Sequence, residues 1–298
     1  MKSLLNNEFF ARLETLAINL SADLRGFFGG KHRVKTYGQT VEFSDYREYM
    51  LGDDIRRIDW NLYSRFEKYF IKLFTDERQM HLQVFLDCSA SMGQIESKKA
   101  AYALAVGAAL GFLSVHNMDK VSFKLLKKSK VEDTGGIIVG KNNFFRAIKA
   151  LEKIEYKSEV NISEAIAGNP NVGGSDGLSV IISDFFSEND WKKAVDYLLY
   201  KKRQVMLVQV VTPEELDPSY SGRTTLLDSE AGGMEDLKNL KINITRGLLN
   251  AYEEALEEYN QEIKEFCNKR GVSFITVSCD QPLEQVLFKQ LLKVGVMS

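Results

Sequence analysis

Apolar positions recur at intervals of three and four from Leu4 and Leu5 through Phe9, Leu13, Leu16, Ala17 and Leu20 to Leu24, with Glu8, Arg12, Asn19 and Asp23 between them. This spacing predicts an amphipathic helix that ends near Arg25-Gly26. The pattern changes period farther on. Leu82-Gln83-Val84-Phe85-Leu86-Asp87 and Leu178-Ser179-Val180-Ile181-Ile182-Ser183-Asp184 are short, nearly continuous apolar runs, and each closes on a carboxylate. Runs of that length read as strands buried on both faces, as in a parallel sheet. Lys120 to Leu126, Gln204 to Val211 and Val272 to Val277 read as further strands, and Ile137-Ile138-Val139 as a short one. Helical periodicity separates them, at Ser97 to Asn117, Phe144 to Ile154, Ile162 to Ala167, Trp191 to Tyr200, Leu248 to Phe266 and Pro282 to Val294. Strands alternating with helices predict a doubly wound α/β fold with right-handed crossovers.

Two stretches break the alternation. Tyr69 to Phe74 reads as a strand, and before it Glu42 to Trp60 crowds Arg47, Glu48, Asp53, Asp54, Arg56, Arg57 and Asp59 among Tyr46, Tyr49 and Trp60. Both signs are balanced there, so an ion-pair lattice is the simpler reading and a binding surface the alternative. Thr212 to Ile244 carries Pro213 and Pro218, and Thr224 to Leu227 and Leu240 to Ile244 flank Glu230-Ala231-Gly232-Gly233, predicting an inserted β-hairpin. The expected division is residues 1–78 as an N-terminal helix plus Arg/Asp-rich β appendage, and 79–298 as the α/β domain with an insertion at about 213–245.

Composition narrows the function classes. The 298 residues are 44% hydrophobic and 27% charged with formal net charge −2, so no global positive field favours nucleic acid or an anionic membrane. Cys88, Cys267 and Cys279 lack CxxC spacing, arguing against a disulfide framework or structural zinc. Charges within Met1 to Asn19 exclude a signal peptide, and no run of about 20 apolar residues is present to span a bilayer, which leaves the cytoplasm as the expected compartment. The basic loop Gly29 to Lys35 lacks the full phosphate-binding spacing and reads as a solvated turn. His32, His81 and His116 are scattered, and no Ser/His/Asp or Cys/His nucleophile arrangement stands out. Glu253, Glu254, Glu257 and Glu258 line one face of the long helix, a solvated face or an acidic docking surface.

The chemistry-bearing residues therefore lie at the ends of the two acid-terminated strands. In open α/β sheets ligands bind beyond the strand C-termini, where Asp87, Ser89 and Ser91 fall together and where a neighbouring strand would bring Asp184. Carboxylate and hydroxyl oxygens without His or Cys suit a hard cation such as Mg²⁺. The competing reading is that Asp87 and Ser89 cap the following helix.

Asp87-Cys88-Ser89-Ala90-Ser91 resembles the DxSxS signature of the metal-ion-dependent adhesion site (MIDAS) in von Willebrand factor A domains. Arg47-Glu48-Tyr49, Gly52-Asp53-Asp54, Arg56 to Trp60, Ser64-Arg65 and Ile182-Ser183-Asp184 extend the likeness. Together they resemble a bacterial, function-unassigned family with such a domain that occurs alongside MoxR-type AAA+ ATPases. The resemblance implies a von Willebrand factor A-like, mostly parallel sheet with a small appended β region. It further implies a chaperone-like protein–protein interaction module rather than an enzyme, an adaptor between a MoxR-type AAA+ ATPase and a client protein. The implied ion is Mg²⁺, with Mn²⁺ or Ca²⁺ as substitutes, held by Asp87, Ser89, Ser91 and Asp184. Where the family commonly has a Thr-x-Leu-x-x-Ala-Leu run, this chain reads Val160 to Ile166, and Asn161 offers a carbonyl oxygen where the threonine would ligate. The alternatives are a metal-dependent phosphohydrolase on the same rim, for which Ser89 stands where a second acid would be expected, and a purely structural scaffold.

Overall fold

The computed structural model describes residues 5–20, 41–76, 79–94, 98–157, 159–174, 177–186, 191–218, 222–226, 240–283 and 286. The basic loop from Gly29 to Lys35, the turn Glu230 to Gly233 and most of the predicted helix from Pro282 to Val294 lie outside them. The chain forms two compact units, Gly29–Gln79 and a larger one made of Met1–Phe28 with Met80–Ser298.

The larger unit is built on β3 (His81–Asp87), β4 (Lys120–Lys127), β5 (Lys130–Asp133), β6 (Leu178–Ser183), β7 (Gln204–Val211) and β10 (Ser273–Ser278). Their order is β10-β7-β6-β3-β4-β5, parallel throughout except for antiparallel β5. Both faces of the sheet are buried, with alternate residues going to opposite cores. Leu82, Val84 and Leu86 of β3 join one cluster and Phe85 the other; Val180 and Ile182 of β6 divide from Ile181 in the same way. Two-sided burial is what made these strands read as continuous apolar runs.

Helix α1 (Asn7–Leu20), α3 (Lys99–His116) and α4 (Lys141–Leu151) cover the first face. The small residues of α3 let it lie against the strands. A Cβ at Gly107 would come within 3.1 Å of Val84, and one at Gly111 within 3.0 Å of Phe123 and Phe144. This helix is long and apolar enough to cross a membrane by composition, but it is a core helix, buried along most of its length. Helices α5 (Ile162–Ala167), α6 (Lys192–Tyr200) and α8 (Arg246–Arg270) serve the opposite face. The predicted insertion appears as β8 (Gly222–Leu226) paired antiparallel with β9 (Leu240–Ile244), preceded by the short α7 (Pro213–Leu216).

The smaller unit pairs β1 (Val41–Glu48) with β2 (Phe70–Asp76) around a 3-10 turn, Ile55–Arg57, and helix α2 (Trp60–Phe66).

Two expectations are revised. Residues 1–78 do not form one body: α1 groups with the sheet because Phe9, Phe10 and Leu13 enter its core, and Phe10 meets Phe112, Phe144 and Phe145 at centroid distances of 5.3, 6.1 and 5.0 Å. The segment Ile137-Ile138-Val139 makes only an isolated bridge between Ile138 and Val121. Farther along β4, Lys124 to Lys127 pair with β5, four residues, three of them charged, that carried no strand signal. Within the Arg/Asp-rich β appendage, β1 runs through Tyr46 and Arg47.

Candidate functional site

The sheet order fixes where ligands can gather. The chain leaves β3 for β4 on one side and later returns to β6 on the other, so the topological switch falls between β3 and β6. At such a point the diverging connections open a crevice at the strand C-termini. The register sets Leu86 against Ile182, which puts Asp87 and Ser183 side by side at the rim.

Asp87 is 5% exposed. Its Oδ1 accepts the Ser89 amide at 2.9 Å and its Oδ2 accepts the Ser183 hydroxyl at 2.6 Å. Burial, and after it the nearby Asp184 charge, push the Asp87 carboxyl up to about 6. Among the described residues its hydrogen-bond donors are Ser89 and Ser183, neither a cation, and a cation at the rim would relieve both causes. Ser89 and half-buried Ser91 turn their hydroxyls together, Oγ to Oγ at 3.0 Å. That spacing matches two neighbouring corners of an octahedron with ~2.1 Å bonds, the geometry of Mg²⁺. Among the described residues no group of three or more His, Cys, Asp or Glu is placed to hold a metal. A hard cation here would rest on Asp87, Ser89 and Ser91 with water completing its shell, and these donors fit that requirement.

The loop carrying the serines is tightly seated. The Gly93 amide reaches Ser89 O at 3.2 Å and Ala90 O at 3.1 Å, closing the turn. A Cβ on Gly93 would lie 2.3 Å from Tyr156 Cβ, so the loop can pass Tyr156 only as glycine.

Asp184 is 2% exposed and sits on the same rim in different company. Its Oδ2 accepts the Lys99 ammonium at 2.8 Å, and its Oδ1 accepts the Phe186 amide at 3.3 Å. Lys99, in the first turn of α3, also reaches Glu215 Oε1 at 2.7 Å. Burial pulls the Lys99 ammonium down, but Asp184 and Glu215 outweigh it and hold the group above its ordinary value. Phe185 follows Asp184 with φ +59, a left-handed conformation uncommon for a bulky residue, and is pinned there. Its amide donates to Ser183 Oγ at 3.0 Å, and its carbonyl accepts the Tyr259 hydroxyl at 2.5 Å.

Asn161 takes the role of a cap: its side-chain oxygen accepts the Glu164 amide at 2.9 Å at the start of α5. Val160 before it is buried. The structure thus brings Asp87, Ser89, Ser91 and Asp184 to one rim and engages Asn161 in holding a helix.

Lys99, Ser183 and Glu215 were missed by sequence reasoning. Thr212-Pro213-Glu214-Glu215 does carry the capping-box pattern, and the box forms, with Thr212 N to Glu215 Oε2 at 2.8 Å and Glu215 N to Thr212 Oγ1 at 3.1 Å. Lys99 offered one further signal, a cation at the head of a helix whose next sixteen residues are small, apolar or aromatic.

In the Arg/Asp block of the smaller unit several carboxylates are engaged within the unit. Asp59 caps α2 through the Asn61 and Leu62 amides at 2.9 and 3.3 Å, and also accepts Tyr46 OH at 3.2 Å and Lys72 Nζ at 3.0 Å. Arg47 pairs with Asp53 at 2.8 Å.

Residues 45–261 match the family of proteins of unknown function called DUF58. The chain belongs to that family. The match takes in both the Arg/Asp block and the Asp87 rim. Uncharacterized proteins of Mycobacterium tuberculosis and Mycobacterium bovis are 24% identical over 227 residues, covering 74% of this chain and 71% of theirs. Among solved structures, an aerotolerance-related membrane protein from Bacteroides fragilis is 16% identical, with TM-score 0.44, over 72% of this chain and 99% of that one. The von Willebrand factor A domain of SpRpn10 is 8% identical, with TM-score 0.39, over 74% and 100%. The mostly parallel order β10-β7-β6-β3-β4-β5 itself carries the fold assignment.

Proposed function

We propose that this DUF58 protein is a Mg²⁺-dependent protein-interaction module, binding a partner through the rim of Asp87, Ser89 and Ser91, and that it acts as an adaptor between a MoxR-type AAA+ ATPase and a client. One observation carries the reading. A buried carboxylate whose hydrogen-bond partners among the described residues include no cation stands at the topological switch point beside two hydroxyls at the spacing of a Mg²⁺ coordination edge. Maintaining an uncompensated buried charge costs stability, and such groups concentrate where a ligand is received. Mg²⁺ bound by few protein oxygens keeps open positions, and a carboxylate from a partner protein is a natural occupant of one. On this reading the chain is a binding protein and not an enzyme, and it works in the cytoplasm.

Thermal unfolding with and without Mg²⁺ tests the metal half. A ligand at one hundred times its Kd stabilises by about 2.7 kcal/mol, which raises the midpoint of a domain this size by roughly 5–10 °C. The shift is expected in the parent and not in Asp87→Asn, and equal response of the two would refute the site. Co-purification of tagged parent and Asp87→Asn proteins from the source cell tests the partner half. A MoxR-type ATPase retained equally by both, or by neither, rejects the rim as the docking point.

A further inference from the structure

Lys99 stands in an expensive place. Its side chain is 2% exposed, and it lies in the first turn of an 18-residue helix, where the backbone amides already concentrate positive charge. A long ammonium side chain is buried there against its own helix, so its position is explained by what it meets. It meets two carboxylates, Asp184 from the end of β6 and Glu215 from α7, at 2.8 and 2.7 Å. Each of the four carboxylate oxygens has a donor: Lys99 takes one on each side, the Phe186 amide the second of Asp184 and the Thr212 amide the second of Glu215. The Asp87 side of the rim is built differently, since its hydrogen bonds come from Ser89 and Ser183, neither of them a cation.

A divalent ion bonded directly to Asp184 would have to displace one of those donors. It would then sit on the same small carboxylate as a fixed ammonium, in a setting that screens their repulsion poorly. We propose that Lys99 is a tethered counter-cation that closes the Asp184 side of the rim to divalent ions, leaving Asp87, Ser89 and Ser91 as the protein's whole share of the metal site. Lys99 is thus a positioning residue for Asp184 and sets how many protein oxygens a bound ion can reach. The division of the rim rests on the proposed metal site only for what happens at Asp87. The claim about Asp184 stands on the Lys99 contacts alone.

The test replaces the ammonium and asks whether a free ion takes its place. Lys99→Met and Lys99→Gln are compared with the parent by thermal unfolding in chelator and in millimolar Mg²⁺ or Mn²⁺. Removing the ammonium leaves buried Asp184 and part-buried Glu215 without their cation, so both variants are expected to melt well below the parent in chelator. Divalent metal is expected to raise their midpoints by at least about 5 °C more than it raises the parent's, a gain that adding Asp184→Asn abolishes. Metal responses no larger than the parent's overturn the proposal, and so does failure of both variants to fold in metal, because the ion was to stand in for the ammonium. A parent that ignores Mg²⁺ while Lys99→Met responds to it sinks the Mg²⁺ reading of Asp87 and leaves the role of Lys99 intact. In the parent background, Asp184→Asn is expected to leave Mn²⁺ affinity by calorimetry within about threefold, and a loss of about tenfold, 1.4 kcal/mol, overturns the proposal by making Asp184 a ligand.

Discussion

Gly93→Ala puts the construction of the rim loop to a direct test. The added Cβ would lie 2.3 Å from Tyr156 Cβ, 3.2 Å from its Cγ and 3.2 Å from its carbonyl oxygen. Carbon atoms pack at about 3.5–4.0 Å, so the two Cβ atoms must part by more than about 1 Å. Cβ and the carbonyl oxygen are fixed to the Tyr156 backbone, which means that no side-chain rotation relieves the contact. Alanine would ordinarily repay about 0.4–1 kcal/mol by restricting the unfolded chain, whereas overpacking of this kind costs about 1–3 kcal/mol. The expected net result is destabilisation of roughly 1–2 kcal/mol in urea unfolding. A displaced Ser89–Ser91 pair should accompany it, seen as a weaker Mg²⁺ response. Tyr156→Gly removes the opposing Cβ, and in that background the same Gly93→Ala change should cost at least about 1 kcal/mol less. Wild-type stability of Gly93→Ala, or a coupling near zero in the double-mutant cycle, would refute the packing account.

Two other predictions concern the opposite end of the strands. Arg203 is buried and donates to Ser179 Oγ at 2.6 Å, His81 O at 2.6 Å and Leu178 O at 2.7 Å, stitching β3 to β6. Arg203→Met strands those acceptors and should cost on the order of 3–5 kcal/mol in urea unfolding; a loss below about 1 kcal/mol would show the bonds to be replaceable. His81, bonded to Ser122 Oγ at 3.0 Å, is lowered from 6.5 to about 4 by burial first and by the Arg203 charge second. A folded value below the unfolded one means that its contribution is fully present above pH 6.5 and is lost as the pH falls toward 4. Burial moves Asp119 the other way, up to about 6, so the diagnostic quantity is the difference between parent and His81→Gln. That difference should shift in favour of the variant between pH 6.5 and 4, and parallel stability curves would contradict the assignment.

Local pattern determined a good deal of this protein. Two-sided burial wrote β3 and β6 as apolar runs, and the small residues of α3 announced a helix lying close against a sheet. Two strands ending in carboxylates already placed Asp87 and Asp184 at one rim, and the DxSxS spacing gathered Ser89 and Ser91 with Asp87, because each feature depends on neighbours a few residues away. Tertiary structure alone decided which groups those carboxylates meet. Lys99 reaches Asp184 across 85 positions and Glu215 across 116, Tyr156 fixes Gly93 from a distant segment, and α1 joins the sheet rather than the strands that follow it in sequence. Periodicity reports whether a residue is buried and on which face. It carries no term for the partner, and for a buried carboxylate the partner decides whether it meets an ammonium, as Asp184 meets Lys99, or amide and hydroxyl donors, as Asp87 meets Ser89 and Ser183.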